Sequence, residues 1–186
     1  AIDASAIERI EVVRGGTAAY GFGATGGLVN IITRRPEEGE INGYSEVGLS
    51  GSGTHADDSL GWQTQHRVSG HRDNVDFLLG GTARHRGSFF DAQSDRIPPD
   101  PLGAQGGLPQ TEQYNVLGKT GIESDSGQKR LEFMVNHFRL FQDSDWAGLA
   151  TGGDPVADEK SVPTRGNINV EDPGTENTLA SLKYTD

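Results

Sequence analysis

Cysteine is missing from the 186 residues, methionine occurs once, and only 33% of the chain is hydrophobic. Without cysteine there is no disulfide framework, and most zinc sites lose their usual ligands. No stretch of eighteen apolar residues occurs, so no membrane-crossing helix is written in the sequence. Positive charge is scarce too: 16 Lys and Arg stand against 27 Asp and Glu, a net charge of −11. Nucleic-acid binding rests on Lys and Arg against phosphate, so that class of partner is disfavoured. The five histidines show no metal-ligand spacing. Neither a Ser/His/Asp order nor a carboxylate pair points to catalysis, so no enzyme, metal site or cofactor is expected. No signal-peptide pattern opens the chain, and its start at Ala1 rather than at methionine leads us to expect a processed or excised piece.

Glycine, by contrast, is abundant, and it marks the stretch that organises the chain. Residues 6–36 read AIERIEVVRGGTAAYGFGATGGLVNIITRRP. The alternating run Ile7–Arg14 predicts a strand. Six glycines follow within thirteen residues, and a second β-branched run over 28–33 predicts another strand, which Pro36 ends. Gly21, Gly23 and Gly26 satisfy G-x-G-x-x-G, and Glu46 lies downstream where a dinucleotide fold carries its ribose-binding acid. That motif needs a strand directly before the glycines and a helix directly after them. Here the strand ends several residues too early, and a short β-branched run follows. A nucleotide-binding oxidoreductase is therefore a weak third reading, and it predicts a helix starting near Gly23.

A second reading is a resemblance. Ile7, Glu8, Arg9, Ile10, Glu11, Val12, Arg14 and Gly15, then Tyr20-Gly21, then Gly26-Gly27, Asn30-Ile31 and Thr33 resemble the C-terminal half of the plug domain of TonB-dependent outer-membrane receptors. The family usually has proline after the first glycine, where this chain has Gly16. The resemblance is confined to this stretch, and a plain glycine-rich β-hairpin is the bland alternative.

From residue 37 onward, six strands are predicted over 41–51, 60–70, 75–89, 113–123, 129–142 and 177–184, with almost no helix signal. Most carry apolar residues on one face and polar residues on the other, as in Val75, Phe77 and Leu79 against Asp76, Thr82 and Arg84. The strand over 129–142 is out of phase, because Leu131, Phe133 and Val135 share a face while Phe138 and Leu140 take the other. A β-bulge near His137 would repair it. Tyr44, Trp62, Phe89, Tyr114, Phe141 and Tyr184 sit near strand ends, while His66, His85 and Arg139 fall on the apolar face. Short polar links over 71–74 and 124–128 alternate with long ones over 91–112 and 143–176, with 52–59 a modest member of the long set. An up-and-down transmembrane barrel alternates short turns and long outer loops in this way, on strands of about 9–11 residues.

The fold class is thus all-β: the end of a plug domain followed by about six antiparallel strands of an incomplete transmembrane β-barrel. The resemblance implies a plug end over 1–36 and the first wall strands over 37–186, in the outer membrane of a Gram-negative cell, against lipid. Transporters of this class close about 22 strands around a plugged lumen, so six strands would be a fragment. It further implies uptake of a ferric siderophore or similar large ligand, driven by TonB with ExbB and ExbD through a segment not contained here. Arg14 occupies the place of the family's charge clasp to barrel glutamates. Gly15, Gly21, Gly26 and Gly27 would serve turns or close packing. Ligand recognition would fall to loop side chains, chiefly Arg96, Gln105, Trp146 and Arg165, with Gln110 and Lys160 as further candidates; ordinary solvated residues are the plainer reading of each. The acidic groups Asp154, Asp158, Glu159 and Glu171, Asp172 lack the spacing of a calcium loop and read as solvated charge. A soluble, acidic all-β binding module of carbohydrate or adhesion type is the alternative. The two differ in where the apolar faces point: outward in a barrel, inward in a sandwich.

Overall fold

The structure, a computed structural model, describes residues 7–15, 26–34, 39, 41–97, 109–142, 145–148, 163–166 and 174–186. In chain order its elements are β1 (Ile7–Arg14), β2 (Gly27–Thr33), β3 (Ile41–Ser50), a helical turn α1 (Ala56–Ser59), β4 (Gly61–Arg72), β5 (Val75–Arg86), β6 (Phe89–Phe90), β7 (Arg96–Ile97), β8 (Thr111–Glu123), β9 (Arg130–Gln142), β10 (Trp146–Gly148), β11 (Pro163–Arg165) and β12 (Gly174–Thr185). The glycine stretch runs from strand into strand. β1 and β2 pair antiparallel from Ile7 opposite Thr33 to Arg14 opposite Gly27, with one register shift between Ile7 and Arg9. Gly27 has φ +136°, and a Cβ there would lie 2.5 Å from the Val13 carbonyl oxygen, so only glycine allows this pairing. The helix foreseen near Gly23 would begin outside the described residues, but β2 already starts at Gly27, where the oxidoreductase reading needs helix.

The six long strands form one antiparallel sheet in the order β12-β9-β8-β5-β4-β3. Apart from the short ribbons β6–β7 and β10–β11, each strand lies beside its neighbour in the chain, so the sheet is an up-and-down meander. Successive strands meet through a two-residue turn at Asp73 and Asn74, where Asp73 has φ +53°, and through a short turn over 124–129. The other end of the sheet carries the long connections. We call these the turn end and the loop end.

Register fixes two unlike faces. Ile41, Val47, Leu49, Val68, Phe77, Leu79, Val116, Ile122, Leu131, Phe133 and Leu182 share one, and they are uncovered: Leu49 is 77% and Val116 51% exposed. The opposite face holds the buried side chains, and most are polar: Ser69, Asp76, Thr82, Asn115, Lys119 and Asn136, beside Leu78 and Leu117. The Asn115 side-chain amide donates to the Asn136 Oδ1 at 3.1 Å in the middle of this face. Water-soluble folds bury the apolar side and solvate the polar one. This sheet does the reverse, and no second sheet covers its apolar face among the described residues. The soluble sandwich is therefore not favoured.

One detail departs from the sequence reading. β8 and β9 stay in continuous register from Thr111 opposite Gln142 to Glu123 opposite Arg130, so there is no bulge near His137. Phe138 and Leu140 lie on the polar face, while His137 and Arg139 stay on the apolar one. Tyr44 lies on the polar face with Asn42 and Glu46, as the alternation in the sequence expects, and the Arg67 guanidinium is 5.4 Å from its ring centroid. His66 sits mid-strand on the apolar face, but its ring nitrogens meet the Thr64 hydroxyl at 2.7 Å and the Ser45 hydroxyl at 3.0 Å. A neutral imidazole has one donor and one acceptor, and two hydroxyls satisfy both. Arg139 lies toward the loop end over the Phe141 ring, 5.3 Å from its centroid.

Candidate functional site

Two clusters stand out, one at each end of the polar face. At the turn end, β5, β8 and β9 each contribute charges within three residues of a turn. Arg130, the first residue of β9, crosses β8 to reach Asp76 on β5 at 2.6 Å, with Glu123 at 3.5 Å and Glu132 at 3.3 Å. The crossing passes over Gly121, where a Cβ would fall 2.2 Å from the guanidinium. Beside it, buried Lys119 lies 3.4 Å from Glu132 and donates to the hydroxyl of Thr33, the last residue of β2, at 2.7 Å. A buried cation must be paired, because an uncompensated charge away from water is costly. Here the pairing also ties the hairpin to the sheet. A cleft lined by Arg9, Asn30, Thr33, Lys119, Glu132 and Lys183 separates hairpin from sheet beside this tie. On the hairpin, Glu11 accepts from Arg9 at 2.9 Å and from Asn30 at 3.3 Å. These bonds, Arg9's first, hold its carboxyl below the usual range.

At the loop end, three connections meet around Arg96. Its guanidinium donates to Asp58 at 2.6 Å and to the Ser88 hydroxyl. It stacks 5.0 Å from the Phe90 centroid and 4.2 Å from that of Trp146. His55, at the start of α1, packs edge-on against Phe90 at 4.0 Å and bonds the Ser94 carbonyl at 3.0 Å. The Ser88 amide donates to the Asp58 carbonyl at 2.7 Å. On the outer side of Trp146, β10 pairs with β11 so that Trp146 lies opposite Arg165, and Arg165 donates to Asp145 at 3.1 Å. The result is a polar rim with aromatic rings and two guanidinium groups of different standing. The Arg96 side chain is only 10% exposed, while that of Arg165 is 72% exposed.

Of the loop residues singled out from sequence, the structure therefore brings Arg96, Trp146 and Arg165 together; Gln105 and Lys160 lie outside the described residues. Gln110, at the end of the same connection as Arg96, has φ +53° and donates its amide to the Gly87 carbonyl at 3.1 Å. Arg14 is exposed at the end of β1 and has no ion-pair partner among the described residues. Gly15 follows it with φ +94°, Gly26 faces open space, Gly27 makes the close approach described above, and Gly21 lies outside the described residues. The acidic groups over 154–159 and 171–172 also lie outside them. Sequence reasoning missed Asp58 and His55, because it treated 52–59 as a plain loop, and Ser88 and Phe90, because it ran one strand from 75 to 89 where β5 ends at Arg86 and the connection begins. It missed the Lys119, Arg130, Asp76 group as well. The signal was present: charges at Asp76, Lys119, Glu123, Arg130 and Glu132 all fall on polar-face positions flanking two short turns. Among the described residues no three His, Asp or Glu side chains converge as metal ligands.

Comparison with known proteins completes the description. The whole chain aligns with the rhizobactin receptor of Rhizobium meliloti at 33% identity. It aligns likewise with the ferric aerobactin receptors of Klebsiella pneumoniae, at 29%, and Escherichia coli, at 28%. In each case the alignment takes in 100% of this chain and 25% of the relative, so the chain spans about a quarter of the length of the curated relatives it matches. No protein-family model matches it, and no solved structure does.

Proposed function

We propose that this chain belongs to the TonB-dependent outer-membrane receptors and is the plug-to-wall segment of a receptor importing a ferric siderophore. In this reading β1 and β2 are the end of the plug, the six-stranded sheet is the start of the barrel wall, and the loop end faces outside the cell. The apolar face meets lipid and the polar face lines the lumen. The protein's work is transport, with energy delivered by TonB with ExbB and ExbD, and no reaction is assigned to it. Arg14 remains the candidate clasp toward wall glutamates, and Arg165 with Trp146 the candidate contact for ligand.

The observation that carries the proposal is the inverted sheet in a chain aligned end to end with siderophore receptors. An uncovered apolar face opposite a buried polar one is what a lipid-facing wall requires, and the short-turn, long-loop alternation matches it. The experiment is uptake of radiolabelled iron, supplied as ferric aerobactin or ferric rhizobactin, by cells carrying the full-length gene in place of their own receptors. Accumulation that needs both the gene and TonB is expected. A full-length product that stays in the soluble fraction would overturn the reading.

A further inference from the structure

We infer that Arg96 is a positioning residue: it fastens three chain-distant connections into one rim and holds Trp146 in place, and it is not itself offered to the ligand. The inference rests on the receptor reading for what the rim binds, but the fastening stands on geometry alone. Asp58 belongs to the connection between β3 and β4, Ser88 and Phe90 to that between β5 and β8, and Trp146 to that between β9 and β12. Arg96 touches all four. Its charge is already neutralised by Asp58 and its head lies over two rings, with little surface left for an anion. A planar guanidinium can donate along its edge and stack through its face at once, which an ammonium cannot. The edge holds Asp58 and Ser88 while the face serves Trp146 and Phe90. His55 supplies a second tie between the first two connections, through Phe90 and the Ser94 carbonyl. Arg165, by contrast, is exposed, and Asp145 occupies only part of its donor edge. It is the guanidinium that an incoming acceptor can reach.

The test uses the full-length receptor in outer-membrane preparations, with folding checked by heat-modifiable mobility. Hydrogen exchange is followed without ligand over 52–60, 88–97 and 145–148 in wild type, Arg96→Gln, Asp58→Asn and the double variant. Each single change is expected to speed exchange in the first two segments by about tenfold, the scale of one charge-assisted hydrogen bond. The double variant should add nothing further, because the two residues act as one unit. Arg96→Gln should also free 145–148. Arg96→Lys, which keeps the charge but loses the stacking plane, should restore 52–60 and leave 145–148 fast. Unchanged exchange over 52–60 and 145–148 in Arg96→Gln would overturn the fastening. Ferric aerobactin titration then separates positioning from contact. Affinity that falls in Arg96→Gln and in Arg96→Lys alike, in step with the loosening of 145–148, is expected, whereas loss in Arg96→Gln with full affinity in Arg96→Lys would follow the charge, make Arg96 a ligand contact and overturn the inference. If wild type fails to bind ferric aerobactin or ferric rhizobactin, the ligand assignment falls while the exchange result still decides the fastening.

Discussion

Arg130 reaches Asp76 across an intervening strand only because residue 121 has no side chain. Gly121→Val would drive the guanidinium off its partners and strand charge on the buried face. Separating a buried pair costs about 3–5 kcal/mol, so a lowered melting temperature of the folded receptor is the expected result. Gly118→Ala, at a position with nothing within 4 Å, should leave melting unchanged and serves as the control. Lys119→Met tests the neighbouring tie: it should speed hydrogen exchange over 27–33, by loosening Thr33, more than it lowers the melting temperature. Neither group could be read from the sequence as a contact. Each charge was legible as a polar-face residue beside a turn, but the crossing needs the register of three strands at once. That register depends on turn lengths to the residue. Arg96 shows the same limit, since the residues it joins lie far apart in the chain and nothing local announces their meeting.

The strands were the most legible part, because a period of two survives in each of them. All six expected between residues 41 and 184 form, with ends moved by a few residues, as at β12, which begins at Gly174. The phase break in β9 misled the reading. A bulge was inferred to bring Phe138 and Leu140 out to lipid, yet both stay inside with Asn136 and Gln142. A lumen wall tolerates apolar side chains that pack against a plug, so the alternation need not be perfect on that face. Which face meets lipid can be tested by inserting one charge on each. Val116→Lys should destabilise the assembled receptor by about 2–4 kcal/mol, the cost of a cation near the bilayer midplane. Gln63→Lys, beside Glu46 on the other face, should be tolerated. The measurement is the fraction of heat-modifiable, folded protein across a urea series, and equal effects would sink the assignment of faces.

At the scale of the whole molecule, the described residues form an open sheet in which β3 and β12 present unpaired edges. Open edges and a bare apolar face both invite association. Expressed alone and without detergent, the 186-residue chain should sediment as large particles. Detergent should cover the apolar face but leave the edges to pair with further strands, so sedimentation velocity in detergent is expected to show small oligomers. The connection between hairpin and sheet carries one more consequence. Tension applied to the end of β2 reaches the sheet along the chain into β3 and also through Lys119, from which it passes to Glu132 and through Arg130 to Asp76 two strands away. The strain is thus spread sideways across β9, β8 and β5 before it can unzip any single ladder. A tug on the hairpin meets a braced panel, and of these links the hydroxyl contact at Thr33 is the first to give.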